Sequence, residues 1–316
     1  MIKKRRAFIT GLSGHKLTKK EKFFLNKYKP WGIILFSRNI KNFNQVKKLT
    51  NDIRYLFNDK KYPILIDQEG GKVNRLKKLI NTNLHTSEYF GKLFINNQKK
   101  FLSEFKFFTK KTADILNDLR ININTVPVLD LKKKNSSLII GNRSFSANYK
   151  IVSKIGDLCI KFFSKQKIGT VIKHIPGHGL AKVDSHKFTP TVYAKSNFLY
   201  KNDFNCFKNK KSLFSMTAHI IYKDIDPINT ATHSKIIIKL IRNKIGFKNL
   251  IITDDISMKA LKFSIKQNTQ KAFTAGCNLV LHCNADYKEM LIVANNSPLL
   301  NDFIIKKTSQ FYNFLS

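Results

Sequence analysis

Proton-handling side chains gather most densely in Lys173-His174-Ile175-Pro176-Gly177-His178-Gly179, followed closely by Asp184-Ser185-His186. The segment starts directly after the apolar run 169–172, which reads as a buried strand. Lys173 and His174 therefore fall at a strand's carboxyl end, and the rest is expected to be a mobile loop. Groups that gain and lose protons, on a loop that a strand anchors, suit a catalytic site. Three readings compete. One is a histidine-rich loop without chemistry. Another is a metal site drawing on His174, His178, Asp184 and His186. Its weakness is the spacing, which does not put two ligands on one helical face, while the glycines would hold them loosely. The third is proton transfer by His186, with Asp184 two residues earlier orienting the imidazole. The third is preferred, and neither a metal nor a cofactor is expected.

Further reactive residues follow other apolar runs. Ile64-Leu65-Ile66-Asp67-Gln68-Glu69-Gly70-Gly71 sets an acid at a strand end ahead of two glycines, where backbone can approach a ligand closely. Asp67 could accept two hydroxyls, and Arg75 could reach back to it or close a surface ion pair. Arg143, in Gly141-Asn142-Arg143-Ser144-Phe145, offers fixed donors to a hydroxyl or amide oxygen. His219, in Met216-Thr217-Ala218-His219, reads as a supporting or lining residue, or as a satisfied core histidine. Asp254-Asp255 ends another apolar run and could be no more than a helix cap. Successive strand residues point to opposite sides, so one of the two should face the site. A carboxylate there could attack an anomeric carbon.

The elements that must position these residues form eight strand–helix units. Strands are expected near 7–12, 32–36, 64–67, 122–128, 169–172, 213–217, 250–253 and 278–281. Helices are expected near 44–57, 97–118, 147–166, 196–207, 234–245 and 265–275, with an earlier one from Thr18, where Thr18-x-x-Glu21 has capping-box spacing, and more after 281. Apolar rather than alternating strands imply a parallel sheet covered on both faces. A single (β/α)8 TIM barrel over 1–316 is favoured over a doubly wound open sheet. In a barrel, Asp67, Lys173, His174, His219, Asp254 and His282 would converge on one mouth.

Composition narrows the class. With 42% hydrophobic and 12% aromatic residues the chain should fold around a substantial core. Lys+Arg number 58 against 20 Asp+Glu, a formal +38. A polyanion partner is one explanation. The lysines are spread along the chain instead of gathered in one arm, so general surface charge is preferred and no obligatory nucleic acid is expected. The four cysteines lack Cys-x-x-Cys spacing and read as free thiols in a reducing compartment. Arg5-Arg6 looks superficially like a twin-arginine signal, but the apolar stretch after it is short and Lys16, Lys19 and Lys20 follow. No run approaches a membrane span in length. A cytoplasmic monomer is expected.

Together the motifs resemble the glycoside hydrolase family 3 β-N-acetylhexosaminidases, in particular their bacterial single-domain, cell-wall-recycling branch. The resemblance is carried by Asp67-Gln68-Glu69-Gly70-Gly71, Gly141-x-Arg143-Ser144-Phe145, Lys173-His174-x-Pro176-Gly177-His178-Gly179, Asp184-Ser185-His186, Met216-Thr217-Ala218-His219, Asp254-Asp255-x-Ser257-Met258 and Trp31-Gly32-x-x-Leu35-Phe36-x-Arg38-Asn39, in order over nearly the whole chain. It implies a TIM barrel and hydrolysis with retention, removing terminal β-linked N-acetylglucosamine from muropeptides. It further implies Asp254 as nucleophile, His186 as general acid/base with Asp184 as its partner, and contacts to the sugar from Asp67, Arg75, Arg143, Lys173 and His174. Lys72 stands where arginine is common and Ile175 where phenylalanine is usual, and both leave every acid and base in place.

Overall fold

The computed structural model describes residues 2–133, 140–185 and 187–316. Eight strands close into a barrel: β1 (Arg6–Gly11), β2 (Pro30–Leu35), β3 (Ile64–Ile66), β4 (Ile123–Asn124), β5 (Gly169–Ile175), β6 (Phe214–Thr217), β7 (Leu250–Asp255) and β8 (Leu279–His282). Each pairs in parallel with its neighbours in chain order, and β8 returns to β1. The expected (β/α)8 barrel is the observed architecture.

The intervening helices are α1 (Lys19–Tyr28), α2 (Phe43–Leu56), α3 (Ser87–Asn96), α4 (Gln98–Asp118), α5 (Tyr149–Lys165), α6 (Ser196–Lys201), α7 (Lys235–Leu240), α8 (Ile265–Ala275), α9 (Tyr287–Asn296) and α10 (Asp302–Leu315). Local chemistry sets their starts. Thr18 and Glu21 form the anticipated capping box on α1, satisfying backbone N–H groups in both directions. Ser264 forms a second such box with Gln267 on α8, and Asn42, Thr86, Asn97 and Asn301 each cap a helix by accepting one backbone N–H. Two differences from expectation stand out. α3 falls in a stretch read as loop. The segment 196–207 holds only the short α6 and a 3-10 turn at Phe204–Phe207.

Strand alternation sorts the core into two compartments. Ala7, Ile9, Leu65, Ile123, Val171, Phe214, Met216, Ile252 and Leu281 fill the barrel interior, whereas Phe8, Ile64, Ile66, Ile172, Ile251 and Val280 pack outward against the helices. Residues α10 contributes, Ile304 and Phe311, close the interior from the amino-terminal end of the strands. There the Trp31 indole N–H donates to Thr308 Oγ1 at 2.8 Å, and Phe214 meets Phe311 edge-on. Among the described residues, no helix is long and apolar enough to cross a membrane.

Candidate active site

The same alternation aims the reactive side chains. Leu65 faces the interior, so Asp67, two residues on, does too, beyond the end of β3. Val171 and Lys173 are related in this way on β5, Ile252 and Asp254 on β7, and Leu281 and Cys283 at β8. These side chains line a cavity of about 360 Å³ at the carboxyl ends of the strands, a volume that suits a small ligand. β5 runs to Ile175, three residues past the expected end, and its register shifts between Lys173 and Ile175. That irregularity lets Lys173 and His174 both face the cavity, as bulges re-aim side chains near active sites.

One half of the cavity is a buried charge network. The positive φ angles of Gly70 (96°) and Gly71 (56°) make a tight turn between Gln68–Gly70 and Val73–Asn74, which brings Arg75 back over Asp67. Asp67 accepts from Arg75 at 3.2 Å, from Lys173 Nζ at 3.0 Å and from Thr125 Oγ1. Glu69 accepts two parallel bonds from Arg143, both 2.8 Å, and pairs with Lys173 at 2.7 Å. Such a fork fixes the guanidinium plane. Burial by itself would raise both carboxyls, but the cations outweigh it. Lys173 and Arg75 hold Asp67 far below the usual carboxylate range, and Arg143 and Lys173 bring Glu69 down to about 2. Burial opposes the charge of Lys173, and Asp67 and Glu69 more than restore it, raising its pKa. Asp67, Glu69 and Lys173 are therefore ionised near neutral pH.

The other half holds the histidines and Asp254. His174 Nδ1 lies 2.6 Å from Asp130 Oδ2, and its Nε2 faces Asp254 Oδ2 at 4.0 Å. Asp254 lines the cavity while Asp255 turns away, accepting from Ser257 N–H and Oγ–H and from Cys283 N–H. One acid of the pair faces the mouth, as strand geometry required. Burial would raise the Asp254 carboxyl, but His174 and His219 outweigh it and lower it. An ionised carboxylate with one face on a small cavity is a competent nucleophile or base.

The structure brings Asp67, Arg75, Arg143, Lys173, His174 and Asp254 together on one cavity. His219 is a supporting group: Nδ1 meets Thr232 Oγ1 at 2.7 Å and Nε2–H donates to the Asp255 carbonyl at 3.0 Å. His282 is buried against Glu289, away from the cavity. His186 lies outside the described residues. Asp184 is half-buried beside Ser185, which reaches the cavity and bonds His178 Nε2 at 3.1 Å. The loop after β5 departs from the expectation of free movement in its first half. Tyr222 O–H donates to the Gly177 carbonyl, Asp130 accepts from His178 N–H at 2.6 Å, and a Cβ on Gly179 would sit 2.4 Å from the Leu131 carbonyl. Burial, with His174 adding to it, lowers the His178 pKa to about 4, so this imidazole is neutral near pH 7.

Glu69 and Asp130 were not singled out from sequence. Glu69 was visible inside its motif, but nothing local says that it pairs with Arg143 from another unit. Asp130 follows the apolar Val128-Leu129, the signal that identified Asp67 and Asp254.

Residues 6–307 match the family profile of the glycosyl hydrolase family 3 N terminal domain. A β-hexosaminidase of Psychromonas ingrahamii is 30% identical over 315 residues, spanning 97% of this chain and 89% of its own length. One from Actinobacillus succinogenes is 33% identical over 282 residues, spanning 86% of this chain and 79% of its own. The fold superposes on NagZ from Neisseria gonorrhoeae, solved in complex with N-trifluoroacetyl-D-glucosamine, with a TM-score of 0.87 and 28% identity, over 99% of this chain and 90% of that one.

Proposed function

This chain belongs to glycosyl hydrolase family 3 as a NagZ-like β-hexosaminidase, and from that premise we propose that it removes terminal β-linked N-acetylglucosamine from peptidoglycan-derived muropeptides, with retention. In the proposed first step Asp254 attacks the anomeric carbon as the glycosidic C–O bond breaks. His186, partnered by Asp184, gives its proton to the departing oxygen, leaving a glycosyl ester on Asp254. In the second step His186 takes a proton from water, whose oxygen attacks the same carbon and releases the carboxylate. Asp67, Arg75, Arg143, Lys173 and His174 hold the sugar's hydroxyl and acetamido groups.

The observation that carries this reading is the Asp254 carboxylate on the same small cavity as those five side chains. A histidine acid/base departs from the two-carboxylate scheme of most retaining glycosidases, and loop closure would complete the site. The action is assigned to the cytoplasm, to the chain as a monomer, and to cell-wall recycling.

The test is 4-nitrophenol release from the N-acetyl-β-glucosaminide and from the β-glucoside. Strong preference for the former is expected, and equal rates would overturn the sugar assignment. A fluorosugar trapped on Asp254 and found by peptide mass spectrometry separates direct attack from assistance by the substrate's own acetamido group, which would leave Asp254 unlabelled.

A further inference from the structure

Asp130 is completely buried behind the cavity wall and is not among the residues lining the cavity. A carboxylate so placed is costly unless its lone pairs are used. Here they are divided between two tasks. Oδ1 anchors backbone, accepting from His178 N–H at 2.6 Å and sharing the His174 N–H with Oδ2, at 3.2 and 3.3 Å. Oδ2 is closest to the imidazole of His174, 2.6 Å from Nδ1. An ionised carboxylate only accepts, so Nδ1 carries the proton. The ring is thereby held with Nε2 turned to Asp254, 4.0 Å away.

We propose that Asp130 is a positioning residue for glycosyl transfer, acting through His174: it fixes the tautomer and the plane of that imidazole, so that Nε2 meets the sugar and Asp254 without reorganising. The inference rests on Asp254 being the nucleophile. Backbone anchoring by itself does not account for the contact to the ring: at 2.6 Å it is the shortest that Oδ2 makes, against 3.3 Å to the His174 N–H. A group that orients a ligand-facing imidazole from behind resembles the outer partners that tune metal-bound histidines.

A double-mutant cycle of Asp130→Asn and His174→Ala, followed through kcat and KM on 4-nitrophenyl N-acetyl-β-glucosaminide, tests it. Asp130→Asn should lower kcat about 10–100-fold with a much smaller change in KM. In the His174→Ala background the same change should cost less than about 3-fold, because the partner is gone. Equal losses in both backgrounds would mean a purely structural role and overturn the proposal. The unmutated protein gives an independent reading whether or not the variants fold. With nitrogen-15 histidine, His174 should show a protonated Nδ1, and a bare Nδ1 would overturn the proposal. Full turnover by Asp254→Asn would instead sink the nucleophile reading, a result separable from a missing Asp130–His174 coupling.

Discussion

The two ends of the barrel bury side chains under opposite rules. At the floor, Trp31 meets Phe214 and Phe214 meets Phe311, with ring centroids 5.6 and 5.3 Å apart, and the indole N–H is satisfied by Thr308. Stabilisation there follows the apolar area removed from water. At the mouth the burial is charged and polar, with Asp67, Glu69, Arg143 and Lys173 in one ionic network and the carboxylates of Asp130 and Asp254 on either side of the His174 imidazole. Replacing buried ion pairs with well-packed apolar groups is often neutral or stabilising. Stability alone therefore does not call for the mouth. The proposed function, in which a sugar is gripped and attacked there, does.

Mutations can break or sharpen this contrast. Asp254→Asn should lower kcat/KM by on the order of 10⁴ while circular dichroism shows an intact fold, and a loss below about tenfold would remove the mouth's claim to catalysis. His186→Ala should slow substrates with poor leaving groups by about 10²–10⁴-fold and activated aryl glycosides far less. Equal losses on both would count against an acid role. At the floor, Phe311→Ala should cost about 3–5 kcal/mol of unfolding free energy in urea, with turnover per folded molecule unchanged. Glu69→Gln should cost a similar amount, about 3–5 kcal/mol, because it leaves two buried cations short of a carboxylate, but it should also raise KM. A floor variant that altered KM would blur the division.

The smallest effect concerns pH. Burial would raise the Glu69 carboxyl, yet Arg143 and Lys173 bring it down to about 2 from an ordinary 4.5. Because the folded-state value is the lower, this group's contribution to stability is fully present above about 4.5 and is lost as pH falls toward 2. Urea midpoints taken between those pH values should decline, and less steeply in Glu69→Gln. An unchanged slope would assign the acid sensitivity to other carboxylates, Asp67 first among them.

Much of this is legible in the amino-acid sequence. Capping chemistry is local, so the start of α1 could be read from Thr18 and Glu21. Apolar runs marked all eight strands, although β4 proved shorter than its run and β5 longer. α3 was missed because the segment from Asn81 to Thr86 is rich in polar turn formers and made the whole region read as loop. Asp67, Arg75, Arg143, Lys173 and His174 stand in motifs at or after strand ends, and the family resemblance marked them as sugar contacts. The partners that hold them were not.

What the amino-acid order by itself determined is a set of short-range facts: period-two alternation, caps, and the type of side chain at each strand end. From these follow the barrel and the expectation that one acid of the pair Asp254-Asp255 faces the mouth, while the family resemblance pointed to Asp254. Tertiary structure alone decided the pairings, Glu69 with Arg143 across 74 positions and Asp130 with His174 across 44. The physical reason is that a buried charge is defined by what closure brings within about 3 Å of it, and no local pattern encodes that distance.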